Sequence, residues 1–204
     1  MKNRFPRLAR LAAAAWKGDP DELARAARSC LDKEGPRAVR EVLLQLHLFG
    51  GFPRMVRALT LLASIPPPQE PAGGPPDAGG QPDDGDQGMG LILFRRLYGN
   101  DADAVLEHLR NLDPALPAWI LGHAYGRVLS RPGLPVEDRE RLALLALAAT
   151  GCWKQWGSHA RIARRLGIPA ALLAEDLDRT DWLTSGQRAK ARSALSSGDV
   201  PSGA

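Results

Sequence analysis

The sequence predicts an all-α protein, and three observations carry that reading. Apolar residues recur at helical spacing, as in PRLARLAAAAWK and REVLLQL. Proline and acidic residues open such stretches and glycine closes them, as Asp19-Pro20 and Gly167 do. The helical pattern of residues 7–44 returns at 141–177, so the chain holds a tandem, degenerate repeat of helical units packed together.

Residues 6–17 make a first helix with Leu8, Leu11 and Ala12 on one side. Asp19 caps a second, with Pro20 at its first position and Asp21 and Glu22 in its first turn. That helix runs to about Leu31 and breaks at Gly35-Pro36. A third, from Pro36 to about Phe49, carries the stripe Val39, Val42, Leu43 and Leu46. Gly50-Gly51 ends it, and Phe52-Pro53 starts a fourth that reaches Ile65.

Residues 66–88 are proline, glycine and acids without large apolar side chains, which reads as a mobile linker. Helices resume at Met89, break at Gly99-Asn100, and reopen at Asp113-Pro114 through Ser130. Pro135 with Glu137, Asp138 and Glu140 then begins a helix whose run Leu142–Ala149 is too apolar for one exposed face. Gly151 stops it. The next helix extends from about Cys152 to Leu166, closed by Gly167 and Pro169, and another follows to Leu177. DRTDWLTSGQRAKARSAL reads as one loose helix. The expected organisation is a scaffold repeat at 1–65, a linker at 66–88, a repeat carrying the site at 89–195 and a flexible tail at 196–204.

Composition narrows the function. Two cysteines, at 30 and 152, exclude a disulfide scaffold and suit a reducing compartment. The basic N-terminus fits the first helix better than a targeting peptide, so a cytoplasmic location is expected. No apolar run approaches the ~18–20 residues of a membrane span. Net charge is +4, but the arginines are spread over many helices with no run of five, so no nucleic-acid partner is expected. An anionic small molecule would suit such a surface.

The histidines at 47, 108, 123 and 159 form no HxxxH or HExxH pair, so no metal is expected. GxGxxG, Walker and GxSxG motifs are absent, which leaves nucleotide binding and serine-hydrolase chemistry without support.

One stretch does carry chemistry. Cys152, Gln155, Trp156 and His159 fall at i, i+3, i+4 and i+7, one face of a helix. A thiol in a first helical turn sits where the backbone favours a thiolate. Glu140, on the preceding buried helix, is a candidate to orient His159. Packing roles stay open for each: Cys152 as core filler, His159 as a structural histidine, Glu140 as a helix-start charge.

At these residues the chain resembles the carboxymuconolactone decarboxylase family, within the alkylhydroperoxidase D-like superfamily. The resemblance rests on Ser130-Arg131-Pro132-Gly133-Leu134, Arg139-Glu140, Gln155 and His159-x-Arg161, and on Arg40-Glu41-Val42-Leu43-Leu44-Gln45 followed by Phe49-x-Gly51-Phe52-Pro53. It implies an all-α alkylhydroperoxidase D-like fold and cofactor-free acid–base chemistry on a small anionic lactone or related carboxylate. In the roles it implies, His159 is the acid/base, Glu140 its orienter, Gln155 a hydrogen-bond donor, and Arg131 and Arg161 carboxylate binders. Homo-oligomeric assembly is usual in the superfamily.

The redox branch is similar in its Glu, Cys-x-x-Cys and His spacing. Glu140, Cys152 and His159 fit, but Gln155 replaces the second cysteine. Thiol-dependent peroxidase chemistry at Cys152 is therefore the alternative, and a non-catalytic helical interaction protein the third. In the sequence register, Gly18, Asp21 and Arg25 stand opposite Cys152, Gln155 and His159, which makes the first copy a scaffold.

Overall fold

Capping residues and apolar stripes place the helices largely where the sequence indicates. In this computed structural model the described residues are 4–66 and 84–197, and they contain helices and no strand. The chain divides into two compact units, Met1–Pro68 with Gly133–Ala204, and Gln69–Pro132.

In the first unit, α1 (Phe5–Lys17) buries Leu8, Leu11 and Ala12 and ends on Gly18 in the left-handed region. α2 (Pro20–Gln45) starts on Asp19, whose carboxylate accepts the Asp21 and Glu22 amides at 2.9 and 3.1 Å. Gly35, at φ 82° and ψ 163°, and Pro36 split α2 into two arms. A short α3 (His47–Gly50) leads to α4 (Phe52–Ser64).

The same unit continues with α8 (Val136–Thr150), buried from Asp138 to Ala148, and α9 (Trp153–Arg165). α10 (Ala170–Arg179) and α11 (Ser185–Ser197) complete it. The last two are separate helices, as the sequence reading has them, although the second starts only at Ser185, seven residues into the stretch DRTDWLTSGQRAKARSAL. Thr184 and Gln187 form a reciprocal cap that restarts the chain: the Gln187 amide donates to Thr184 Oγ1 at 3.3 Å, and the Thr184 amide to Gln187 Oε1 at 3.0 Å. Trp153, Trp156 and Trp182 are all buried, as helix-packing aromatics should be.

The repeat is visible in the turn geometry. Gly18 (φ 80°, ψ 22°) and Gly151 (φ 73°, ψ 16°) each close a helix, and the next residues, Asp19 and Cys152, cap the helix that follows. This register pairs Leu23 with Trp156, Ala27 with Ala160 and Cys30 with Ala163, all buried. It corrects the sequence register by one residue, so that Asp19, Glu22 and Ala26 stand opposite Cys152, Gln155 and His159. Past the Gly35 and Gly167 breaks the sequence register holds: Val39, Val42 and Leu43 match Leu173, Asp176 and Leu177, again all buried.

The second unit holds α5 (Asp84–Tyr98), a 3-10 turn (Gly99–Asp101), α6 (Ala102–Leu112), α7 (Leu116–Trp119) and a π-helical segment (Ile120–Leu129). Residues 67–83 of the expected linker lie outside the described residues, and α5 begins at Asp84, ahead of Met89. The expected tail falls outside them from residue 198.

α5 and the π-helical segment approach backbone to backbone. A Cβ on Gly90 would come within 1.9 Å of the Leu121 carbonyl, and one on Gly126 within 1.9 Å of the Asp86 carbonyl. Phe94, Tyr98 and Tyr125 pack beside this crossing, with the two tyrosine hydroxyls 3.4 Å apart. Gly90→Ala must push the two backbones apart. We expect it to destabilise this unit by about 3 kcal/mol, the upper end of ordinary overpacking, read as an earlier denaturant midpoint by circular dichroism. An unchanged midpoint would show that the crossing yields freely.

Candidate active site

α8 and α9 run back to back across the Gly151 turn, and this brings two sequence candidates together. His159 Nδ1 lies 2.7 Å from Glu140 Oε2, with the Glu140 side chain 1% exposed and that of His159 13%. Glu140 is buried because α8 is buried almost all round. With the carboxylate ionised, Nδ1 is the donating nitrogen, which leaves Nε2 as the nitrogen not engaged by Glu140. Nε2 makes no hydrogen bond among the described residues and is not among the buried, unpartnered polar atoms, so it retains access to solvent. Phe49 of α3 presents a ring to His159 in edge geometry at 6.4 Å.

Behind the pair is a sealed polar layer that sequence reasoning did not assign to the site. Arg139, next to Glu140 on α8, is 1% exposed and donates from Nη2 to Glu41 Oε2 at 2.9 Å. Gln45 donates from Nε2 to the Arg139 carbonyl at 2.8 Å and accepts from Arg139 Nη1 at 3.3 Å. Glu41 and Gln45 lie one turn apart on α2, and this network ties the second arm of α2 to the first turns of α8. The signal was in the sequence: both residues interrupt the apolar stripe Val39, Val42, Leu43, Leu46 on a helix that has to be buried.

The other candidates are placed differently. Cys152 is the exposed N-cap of α9 and makes no side-chain capping bond. Seven residues of helix separate it from His159, about 10 Å along the axis. Gln155 is exposed and one turn before His159 on the same face, so the helix position adjacent to the imidazole holds an amide rather than a thiol. Arg161 is exposed and donates to Ser158 Oγ at 3.1 Å; two residues on from His159, it lies on another face of α9. Arg131 belongs to the second unit and is half-buried there. His47 stacks on Phe52 at 4.7 Å.

Electrostatics separate the two thiols. Burial, reinforced by Glu34 and opposed by Arg7, pushes the Cys30 thiol up to about 12, so it stays protonated and inert at neutral pH. Cys152 is the accessible sulfur. A second buried cluster braces the far side of α8. Arg141 donates to both oxygens of Asp176 at 2.7 Å and stacks on the Phe5 ring at 3.6 Å, while Arg4 holds Asp138 at 2.9 Å. Burial raises both carboxyl groups above their ordinary range, with the arginines pulling the other way.

Among the described residues no group of three or more His, Cys, Asp or Glu is arranged to hold a metal ion. No helix among them is long and apolar enough to cross a membrane.

Part of the chain is similar to known proteins. The chain is 30% identical over 118 residues to Peroxisomal protein 2 of Schizosaccharomyces pombe, a match covering 54% of this chain and 53% of that protein. The chain thus spans about half the length of this curated relative. Residues 114–195 match the model of the carboxymuconolactone decarboxylase family. The matched stretch contains both Glu140 and His159.

Proposed function

We propose that the first unit carries a decarboxylase-like site in which His159 moves a proton and Glu140 orients it. The observation that supports this most is the 2.7 Å bond from His159 Nδ1 to a carboxylate sealed from water. The chemistry follows from the pair. Loss of CO₂ from a carboxylated lactone leaves the bonding electrons in an extended enolate, which is completed by protonation at carbon. A positioned imidazole delivers that proton from Nε2, and the buried carboxylate steadies the ring through the transfer. The lactone itself takes up the electron pair of the broken C–C bond and the imidazole supplies the proton, so this reading requires no cofactor, and the substrate class is a small anionic lactone or related carboxylate.

A reducing, cytoplasmic setting fits the two free thiols. Homo-oligomeric assembly belongs to the same reading, supported by Phe52 and Val56, exposed one turn apart on α4.

The exposed thiol of Cys152 favours thiol-dependent peroxidase chemistry as the second reading. One variant separates the two. Cys152→Ser should decarboxylate a carboxymuconolactone at the wild-type rate, because the thiol lies about two helical turns from the imidazole. Loss of lactone turnover in Cys152→Ser, or peroxide consumption that Cys152→Ser abolishes, would favour the thiol instead.

A further inference from the structure

A sizeable cleft in the first unit lies away from the Glu140–His159 pair. It encloses about 670 Å³ between α1, α2 and the end of α10, against about 10 Å³ for the hollows beside Trp156 and Phe49. That is room for a metabolite-sized ligand.

Its place in the fold is informative. In the register fixed by Gly18 and Gly151, Arg7 stands where Glu140 does and Ala26 where His159 does, and both line the cleft. On the third helix, Arg179 of α10 stands where α2 has Gln45. The cleft is thus the repeat-related counterpart of the candidate active site, with its chemistry inverted. A guanidinium replaces the carboxylate, and a methyl group replaces the imidazole. The acid–base pair is gone, and the volume of the ring becomes open space.

The charge balance points to the ligand. Asp176 is committed to Arg141 and Asp181 to Lys17 at 2.6 Å, while Arg7 pairs with Glu34 and Arg179 with Glu175. That leaves Arg10 of α1 and Arg25 of α2, which line the cleft and have no ion-pair partner among the described residues, against the single carboxylate of Glu22. Phe5, Ala9 and Ala26 supply an apolar wall.

We propose that this cleft is a non-catalytic binding site for a small organic oxyanion, a carboxylate or phosphate on a compact apolar body. Arg10 and Arg25 hold its head group. The first repeat then keeps the ligand-binding position of the fold and drops the reaction.

The test is a titration of the full-length chain with benzoate and with phenyl phosphate, followed by calorimetry and by the arginine Nε–Hε resonances. We expect saturable binding of at least one probe, with the tighter one naming the head group. Arg10→Gln and Arg25→Gln should each weaken it roughly tenfold, the usual cost of removing a charge-assisted hydrogen bond. Both arginines are exposed, so the variants should melt as the wild type does. His159→Gln should bind the probes unchanged, which separates this cleft from the candidate active site whatever becomes of the decarboxylase reading. Wild-type binding that never saturates would overturn the proposal. So would an Arg10→Gln/Arg25→Gln protein that binds as the wild type does, or binding lost in His159→Gln alone.

Discussion

His159→Gln should lower kcat for a carboxylated muconolactone by about 10²–10⁴-fold, the range that a positioned proton donor supplies, with KM close to the wild-type value. The reasoning is geometric. Nε2 is the nitrogen left free by the bond to Glu140, and an amide in its place can hydrogen-bond but cannot carry the proton. Glu140→Gln should act through the imidazole rather than on the substrate. It keeps shape and hydrogen bonding but removes the charge that fixes the ring, so kcat should fall less than in His159→Gln, and its pH dependence should move. A structural role alone would leave the pH profile in place and lower only the melting temperature. Equal turnover in all three proteins would remove the pair from the mechanism.

The second large effect concerns stability. Glu41→Ala should destabilise the first unit by about 3–5 kcal/mol, because it removes a carboxylate that neutralises a guanidinium buried to 1% exposure. The loss is mostly the cost of a buried charge left without that carboxylate rather than the worth of the pair. The double variant Glu41→Leu with Arg139→Met should therefore recover most of it, as apolar replacements of buried ion pairs often do. Denaturant unfolding of the two proteins measures both numbers. If Glu41→Ala unfolds within about 1 kcal/mol of wild type, the range of a solvent-exposed pair, then water reaches Arg139 and the layer behind Glu140 is not sealed.

How much of this could be read in the sequence depended on the kind of signal. Local signals were legible: Asp19-Pro20 opens α2, Gly151 closes α8, and a helix as apolar as Leu142–Ala149 has to be buried. The pairing of Glu140 with His159 was legible too, because a short glycine turn between two helices leaves few ways to fold them together.

Three features were not. The Arg139–Glu41–Gln45 layer uses residues whose types signal surface, and only their contacts with one another make burial tolerable. The repeat register was off by one because it is set by left-handed φ values at Gly18 and Gly151, which many other glycines do not share. The π-helical turn at Ile120–Leu129 likewise had no signature in composition, although Gly126 marks where it meets α5.

In the proposed reaction one imidazole, held by one buried carboxylate, returns a proton to carbon. The most direct test is the NMR-detected conversion of a carboxymuconolactone in D₂O by wild type and by His159→Gln. The wild-type product should carry one deuterium at the carbon that lost CO₂ or its conjugate position, and the variant should form little product. Product formed by both proteins at the same rate would contradict it.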